Sequence, residues 1–325
     1  MPTDIATDVD GCVLPRRPGI PTAQPQGARR RRRTGPTAPA PESAPVSPGR
    51  VLSGRFVVGE VIGSGGMAVV RRGRDLQTGR WVAVKALRST VVDDPLFRTG
   101  LRREARVLRG LDHACIVAFH GTGPDGADDA DPHGAPYIVM EYVAGWTLRD
   151  LLTRGELTPR TSIEHLLGVL SALGASHRAG VVHRDIKPAN VMVTAAGDVK
   201  LVDFGIARAM GEAAATVTQS RAFLGTPAYL SPEQARGATT DARSDVYSAG
   251  CLLFELLTGR PPFRGDDAVA VAFQHVHEEA PPAGTGVASL DAVIAKALAK
   301  DRDRRFQSAH AFHEALRSVA DALDL

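Results

Sequence analysis

HRDIKPANVMVTAAGDVKLVDFG, residues 183–205, carries most of what this sequence discloses. Within it, Asp185, Lys187, Asn190 and Asp203 are polar or charged residues set among apolar, often β-branched ones. Pro188 stands just before a strand-like Val-Met-Val, and DVKLVDF is a second strand-like run ended by Gly205. Two short strands, each with an acid at one end, predict a hairpin able to hold metal-bound phosphates. The plain alternative is a buried hairpin whose acids are incidental.

The 325 residues suffice for one large domain or two ordinary ones. An apolar content of 43% is that of a chain with a packed core. Cys12, Cys115 and Cys251 lie far apart and form no CxxC pair. That argues for reduced thiols in a cytosolic setting and against a disulfide scaffold or zinc site. Cys251 falls in the apolar run CLLFELL and reads as a buried thiol. No run approaches 18 consecutive apolar residues, so no membrane span is expected. The N-terminus lacks an apolar stretch behind a basic start, so no secretory signal is expected either.

The net charge of +3 is unevenly placed. Residues 1–50 hold eight arginines against four acids, which leaves the remainder close to neutral. A near-neutral folded part has no electrostatic footprint for nucleic acid. Residues 1–52 are rich in Pro, Ala, Arg and Thr, and ten of the 22 prolines lie in the first 50. Such a segment buries too little apolar surface to offset its ordering entropy, so a disordered tail is predicted. The arginine run at 29–33 invites nucleic acid or acidic lipid, or is simply a solvated basic tail, since five charges without aromatics carry no specificity.

From Arg55 the texture changes. RFVVGEVIGSGGMAVVRRGRDL and GRWVAVKAL read as consecutive antiparallel strands with turns at residues 63–66 and 77–80. FRTGLRREARVLRGL is helical, with Leu101, Ala105, Leu108 and Leu111 on one face. IVAFHG and PYIVMEYV are strands, separated by a polar, acidic loop whose aspartates do not fit calcium-loop spacing. After Gly145 the pattern is helical. TLRDLL is short, and TSIEHLLGVLSALGASHRAG has Thr161 or Ser162 as its expected cap and a stripe of Ile163, Leu166, Leu167, Leu170 and Leu173. Four further helical stretches follow the hairpin. The reading is α+β: a tail at 1–52, a strand-rich lobe at 53–143, a helix-rich lobe at 144–320 and a short C-terminal tail at 321–325.

Gly63-Ser64-Gly65-Gly66 lies between two strands, where glycines let backbone N–H groups approach a phosphate. It is not a Walker loop, because no Lys-Ser/Thr follows, nor a Rossmann turn, because a strand continues after it. Lys85 in VAVK has apolar neighbours, so an inward-facing ammonium there needs an anionic partner, and Glu104 in RREAR is the candidate. Alternatively Lys85 snorkels and Glu104 is a helix-surface acid. Asp185 is a carboxylate able to accept a proton. Lys187 can neutralise a transferring phosphate, while Asn190 and Asp203 offer oxygen ligands that suit Mg2+.

These motifs, in this order, resemble the catalytic and metal-binding loops of eukaryotic-type protein kinases. SPEQARG, DARSDVYSAGCLLFELLTGRPPF, VAFQHVHEE and MEYVAGWTLRDLL are similar to the serine/threonine kinases of actinobacteria, the branch typified by the PASTA-linked receptor kinases. The resemblance covers about residues 53–320. It implies a two-lobed protein-kinase fold, with a small antiparallel β-sheet lobe plus one helix and a larger, mainly helical lobe. It implies transfer of the ATP γ-phosphate to protein Ser/Thr hydroxyls, with ATP and Mg2+, or Mn2+ in its place, as cofactors. Lys187 and Thr226 match the serine/threonine branch.

By resemblance, ATP would be held by Ile62, Gly63, Ser64, Gly65, Gly66, Val70, Ala83, Lys85, Glu104, Met140, Glu141 and Val143. Lys85 would hold the α- and β-phosphates with Glu104 orienting it. Ala68 departs from the family's third glycine. His183, Phe204 and Leu108 would belong to a packed spine. Glu233 would pair with Arg305, and Asp245 would be a helix-cap acid bracing the catalytic loop. Thr218, then Ser220 or Thr216, are expected autophosphorylation sites on a mobile loop, with Arg184 as a cation for the added phosphate. Homodimerisation through the strand-rich lobe is also implied. The chain ends soon after the last expected helix, with no span and no sensor repeats, so a cytoplasmic kinase is expected. A catalytically impaired pseudokinase that binds nucleotide is the alternative.

Overall fold

The computed structural model describes residues 50–65, 68–88, 94–123, 136–204 and 227–324. Residues 1–49, Gly66, Thr216, Thr218, Ser220, Thr226 and Leu325 lie outside the described residues.

Six antiparallel strands form the first sheet: β1 Val51–Leu52, β2 Phe56–Ser64, β3 Ala68–Asp75, β4 Trp81–Leu87, β5 Phe119–Gly123 and β6 Tyr137–Glu141. Their order is β1-β2-β3-β4-β6-β5. The period of two sends alternate residues to opposite faces. Val82 and Val84 join Phe56, Tyr137 and Val139 in a small cluster on one face. Ala83 and Leu87, with Ile138 and Met140, join the main core on the other. Helix α1, Pro95–Arg109, packs against β4, β5 and β6 and buries Leu101, Ala105 and Leu108.

A second sheet, β7 Gly145–Thr147, β8 Val191–Thr194 and β9 Val199–Leu201, carries the hairpin. Around it lie α2 Leu148–Arg154, α3 Pro159–Arg178, α4 Pro232–Ala235, α5 Ala242–Thr258, α6 Ala268–His277, α7 Ala288–Ala297 and α8 Ala309–Ala322. The N-cap of α3 is Thr158, not Thr161 or Ser162. Pro159 takes the first helical position, where its missing N–H is no loss, and Thr161 at N3 answers the cap reciprocally. Helix α5 is buried on nearly every side, its polar Ser244, Asp245, Ser248 and Glu255 included. One apolar core runs from Ala83 and Leu87 through Leu108, Ile116 and Met140 to Leu148, Phe204 and the helices below. It therefore joins sheet to helices and holds the strand-borne and loop-borne polar groups in register. Among the described residues no helix is long and apolar enough to cross a membrane.

Candidate active site

Lys85 sits on β4 in the row that faces the main core, opposite Val70 on β3 and Ile138 on β6. Its Nζ donates to Glu104 Oε1 at 2.8 Å and Oε2 at 3.0 Å, and to Asp203 Oδ1 at 2.9 Å. Burial pushes this ammonium toward neutrality, but the carboxylates of Asp203 and Glu104 more than offset it, so its pKa is raised and Lys85 stays charged. Glu104 reaches it because α1 lays its buried face on β4. The two are an ion pair, not a snorkelling lysine beside a surface acid.

The segments that bear Asp185 and Asp203 each contain a left-handed residue, Arg184 at φ +66° and Asp203 itself at φ +56°. Non-glycine residues avoid that region, so surrounding contacts must hold them there. For Arg184 the restraint is Asp245, whose Oδ1 accepts from Arg184 N–H and whose Oδ2 accepts from His183 N–H, both at 2.8 Å. His177 Nε2 completes the set at 2.8 Å. Asp245 lies in the first turn of α5, and the cap is Asp241, whose side chain accepts from Arg243 N–H. The expected cap assignment is corrected, while the brace on the loop is seen directly.

Asp185 Oδ2 accepts from Lys187 Nζ at 2.6 Å and from Asn190 Nδ2 at 2.9 Å. Asn190 Nδ2 also donates to Asp185 O, and a 3-10 turn over Pro188–Asn190 brings the two together. Val202 N–H donates to Asn190 O at 3.0 Å, which sets Asn190 next to Asp203. His183 Nδ1 accepts from Asp185 N–H and its Nε2 faces Val202 O at 3.2 Å. One ring nitrogen accepting and the other donating describes a neutral imidazole, and burial lowers its pKa accordingly. His183 packs on Phe204 with ring centroids 4.6 Å apart, in the same core as Leu108.

Above these groups, Ala83 pairs with Met140 across β4 and β6. Val70 and Val143 are half-buried against the same core. Gly63 pairs with Val70, and Ile62 beside it is exposed. Glu141 Oε2 accepts from Lys200 Nζ at 2.9 Å and from Ala118 N–H at 3.1 Å, and Glu141 N–H donates to Ala118 O at 2.8 Å.

Glu233 and Arg305 form a buried two-pronged pair at 2.8 and 2.9 Å. Arg184 Nε donates to Thr240 Oγ1. Sequence reasoning missed Arg88, which donates from Nε to Gly65 O at 2.7 Å and from Nη2 to Ser64 Oγ, tying β4 to the glycine turn. It missed Gln234, whose Nε2 donates to Arg184 O, and Lys200 as the partner of Glu141. No local spacing announces these contacts, because each joins residues at least 23 apart.

The oxygens of Asn190 and Asp203, one carboxamide and one carboxylate, are the hard donors that magnesium-type cations take together with phosphates and water. The donor set fits such a metal.

The protein kinase domain family model matches residues 56–316. The chain is 55% identical over 267 residues to a probable serine/threonine-protein kinase of Streptomyces coelicolor, covering 80% of this chain and 39% of that protein. It is 52% identical over 263 residues to the serine/threonine-protein kinase PknB of Mycobacterium tuberculosis, covering 79% of this chain and 42% of that protein. The chain thus spans about two fifths of the length of these relatives. The crystal structure of the Mycobacterium tuberculosis PknI kinase domain is similar with a TM-score of 0.64 and 26% identity, covering 85% of this chain and 99% of that one.

Proposed function

The chain belongs to the protein kinase domain family, and on that premise we propose that it transfers the γ-phosphoryl group of ATP to serine and threonine hydroxyls of proteins. The observation that carries this reading is the meeting of Glu104 and Asp203 on one buried ammonium, Lys85. Residues 118 positions apart converge there, which an incidental acidic hairpin does not require.

Phosphoryl transfer needs positioning and charge neutralisation more than covalent chemistry. Lys85, kept protonated, offers a fixed positive charge to the nucleotide phosphates. Val70, Ala83, Met140 and Val143 offer the apolar bed for its base, with Ile62 above it and Glu141 contributing main chain. The glycine turn from Gly63, its Ser64 and Gly65 tied to β4 by Arg88, supplies the cover. Asp185 takes the hydroxyl proton on Oδ2, the atom that Lys187 and Asn190 orient. Lys187 can then turn to the transferring phosphoryl group. Asn190 and Asp203 would hold Mg2+, with Mn2+ as a substitute, and the metal when bound neutralises phosphate charge. Autophosphorylation of Thr218, with Ser220 and Thr216 next, and pairing of two copies through the strand-rich lobe are the regulatory parts of the proposal. A kinase that uses ATP operates on the cytoplasmic side.

The test is phosphate incorporation into a generic protein acceptor with ATP and Mg2+. Wild type should transfer phosphate, and Asp185→Asn and Lys85→Met should each lose about 100-fold or more in kcat. No incorporation by wild type would sink the kinase reading in favour of a nucleotide-binding scaffold.

A further inference from the structure

The glycine turn is gripped from the side of the sheet that Lys85 does not face. Gly65 N–H donates to Ala68 O at 2.9 Å, and Ala68 pairs with Leu87 at the end of β4. Leu87 is buried in the main core, on the same face of β4 as Ala83. Ala86 packs instead against the small cluster of Val82 and Val84 on the opposite face. Arg88 follows the last residue of β4, so by the same alternation it continues the row of Ala86, away from Lys85. From there its Nε donates to Gly65 O at 2.7 Å and its Nη2 donates to Ser64 Oγ.

These contacts set a direction as well as a position. A peptide unit is planar and trans, so its N–H points opposite to its carbonyl. Holding the Gly65 carbonyl on the outer side therefore turns the N–H of that same peptide unit inward, to the side of Lys85. A guanidinium presents its donors in a rigid fork, which fixes the orientation of what it binds. Crowding does not do this work. Among the described residues, a Cβ added at Gly65 would meet nothing closer than Ala68 O at 3.8 Å. The orientation of the turn rests on its hydrogen bonds.

We propose that Arg88 is a positioning residue for the nucleotide: it holds the Gly65 peptide unit with its N–H toward the phosphates that Lys85 receives, and so strengthens the binding of phosphate-bearing ligands alone. This rests on the kinase reading of the site. Arg88 touches no nucleotide and acts through the turn. ATP and ADP gain from it, whereas adenosine, with the same base and ribose and no phosphate, gains nothing.

The experiment titrates ATP with Mg2+, ADP with Mg2+, and adenosine into the full chain by calorimetry, with thermal unfolding to show that each variant is folded. Arg88→Ala should weaken ATP and ADP by about tenfold, the scale of one hydrogen bond from a charged group, and leave adenosine within about twofold of wild type. Arg88→Lys keeps one charged donor and should bind ATP within about threefold of wild type. Ser64→Ala removes the Nη2 contact alone, and added to Arg88→Ala it should cost nothing further, because the two side chains act as one unit. Arg88→Met keeps the aliphatic stem and is read in the same way if Arg88→Ala does not fold. The proposal is overturned if Arg88→Ala binds ATP within about twofold of wild type, or if adenosine weakens as much as ATP, which is a general loosening of the pocket. Wild type that binds ATP and transfers no phosphate strikes the kinase reading alone, because the titrations need no chemistry. Wild type that binds no ATP overturns both.

Discussion

Histidines that share a pattern in the sequence are given different work by their partners. His183 accepts on one nitrogen, donates on the other and stacks on Phe204, which makes it a neutral structural member of the loop it belongs to. His275 on α6 is fully buried, bonded through Nδ1 to Tyr247 Oη at 3.0 Å, and packed edge-on against Phe263. Burial first, and the nearby Lys300 ammonium next, bring its pKa down to about 3. The unfolded chain takes up its proton near pH 6.5, the folded one near 3. His275 therefore contributes stability that is fully present above about pH 6.5 and is lost as pH falls from there toward 3, at up to about 1.4 kcal/mol per pH unit. Urea unfolding at pH 7 and pH 5 should show a loss of which His275→Gln removes about 2 kcal/mol. An equal loss in both proteins would mean that His275 charges without unfolding. No spacing rule distinguishes His275 from His277, two residues on; only the packing of α6 on the 3-10 turn at Pro227–Tyr229 does.

At the scale of elements, the strand and helix periods were readable because they are local. β4 alternates Val82 and Val84 against Ala83 and Lys85, and α1 repeats its apolar face at Leu101, Ala105 and Leu108. Boundaries followed competing contacts instead. IVAFHG reads as a strand from Ile116, yet β5 begins at Phe119. Ile116 bridges in parallel to Leu201, and Val117 N–H bonds Leu201 O, so these residues join the hairpin instead of β5. Gly145 shows the same dependence on a distant strand. A Cβ there would lie 2.0 Å from Val193 O and 2.8 Å from its carbonyl carbon, because β7 and β8 approach closely. A backbone atom cannot swing aside as a side-chain tip can. Gly145→Ala should cost about 1–3 kcal/mol, read as a lower denaturant midpoint. A midpoint unchanged from wild type would show that β7 can move away without loss.

Across the whole molecule, polar groups buried far from one another in sequence tie the helical lobe together. Arg305 grips Glu233, 72 positions away, through two hydrogen bonds, and its remaining N–H groups reach the carbonyls of Ala299, Lys300 and Arg243. Ser244 Oγ donates to the same Glu233 oxygen as Arg305 Nη1. Arg305→Met would leave a buried, unpaired carboxylate and several unsatisfied carbonyls, and should destabilise by about 3–5 kcal/mol in equilibrium unfolding. A loss below about 1 kcal/mol would mean that water replaces the guanidinium.

The sequence by itself determined which chemical groups are present and which local elements carry them. Asp185, Lys187 and Asn190 lie within six residues, so one turn and one short strand suffice to gather them. Only the tertiary structure decided that Asp203 joins Glu104 on Lys85, that Asp241 and not Asp245 caps the helix, and that Arg149 covers Glu255. Those choices depend on how buried faces stack. Hydrophobic packing is blind to the sequence distance between the charges it brings together, and it sets which of them lose water and must find a partner.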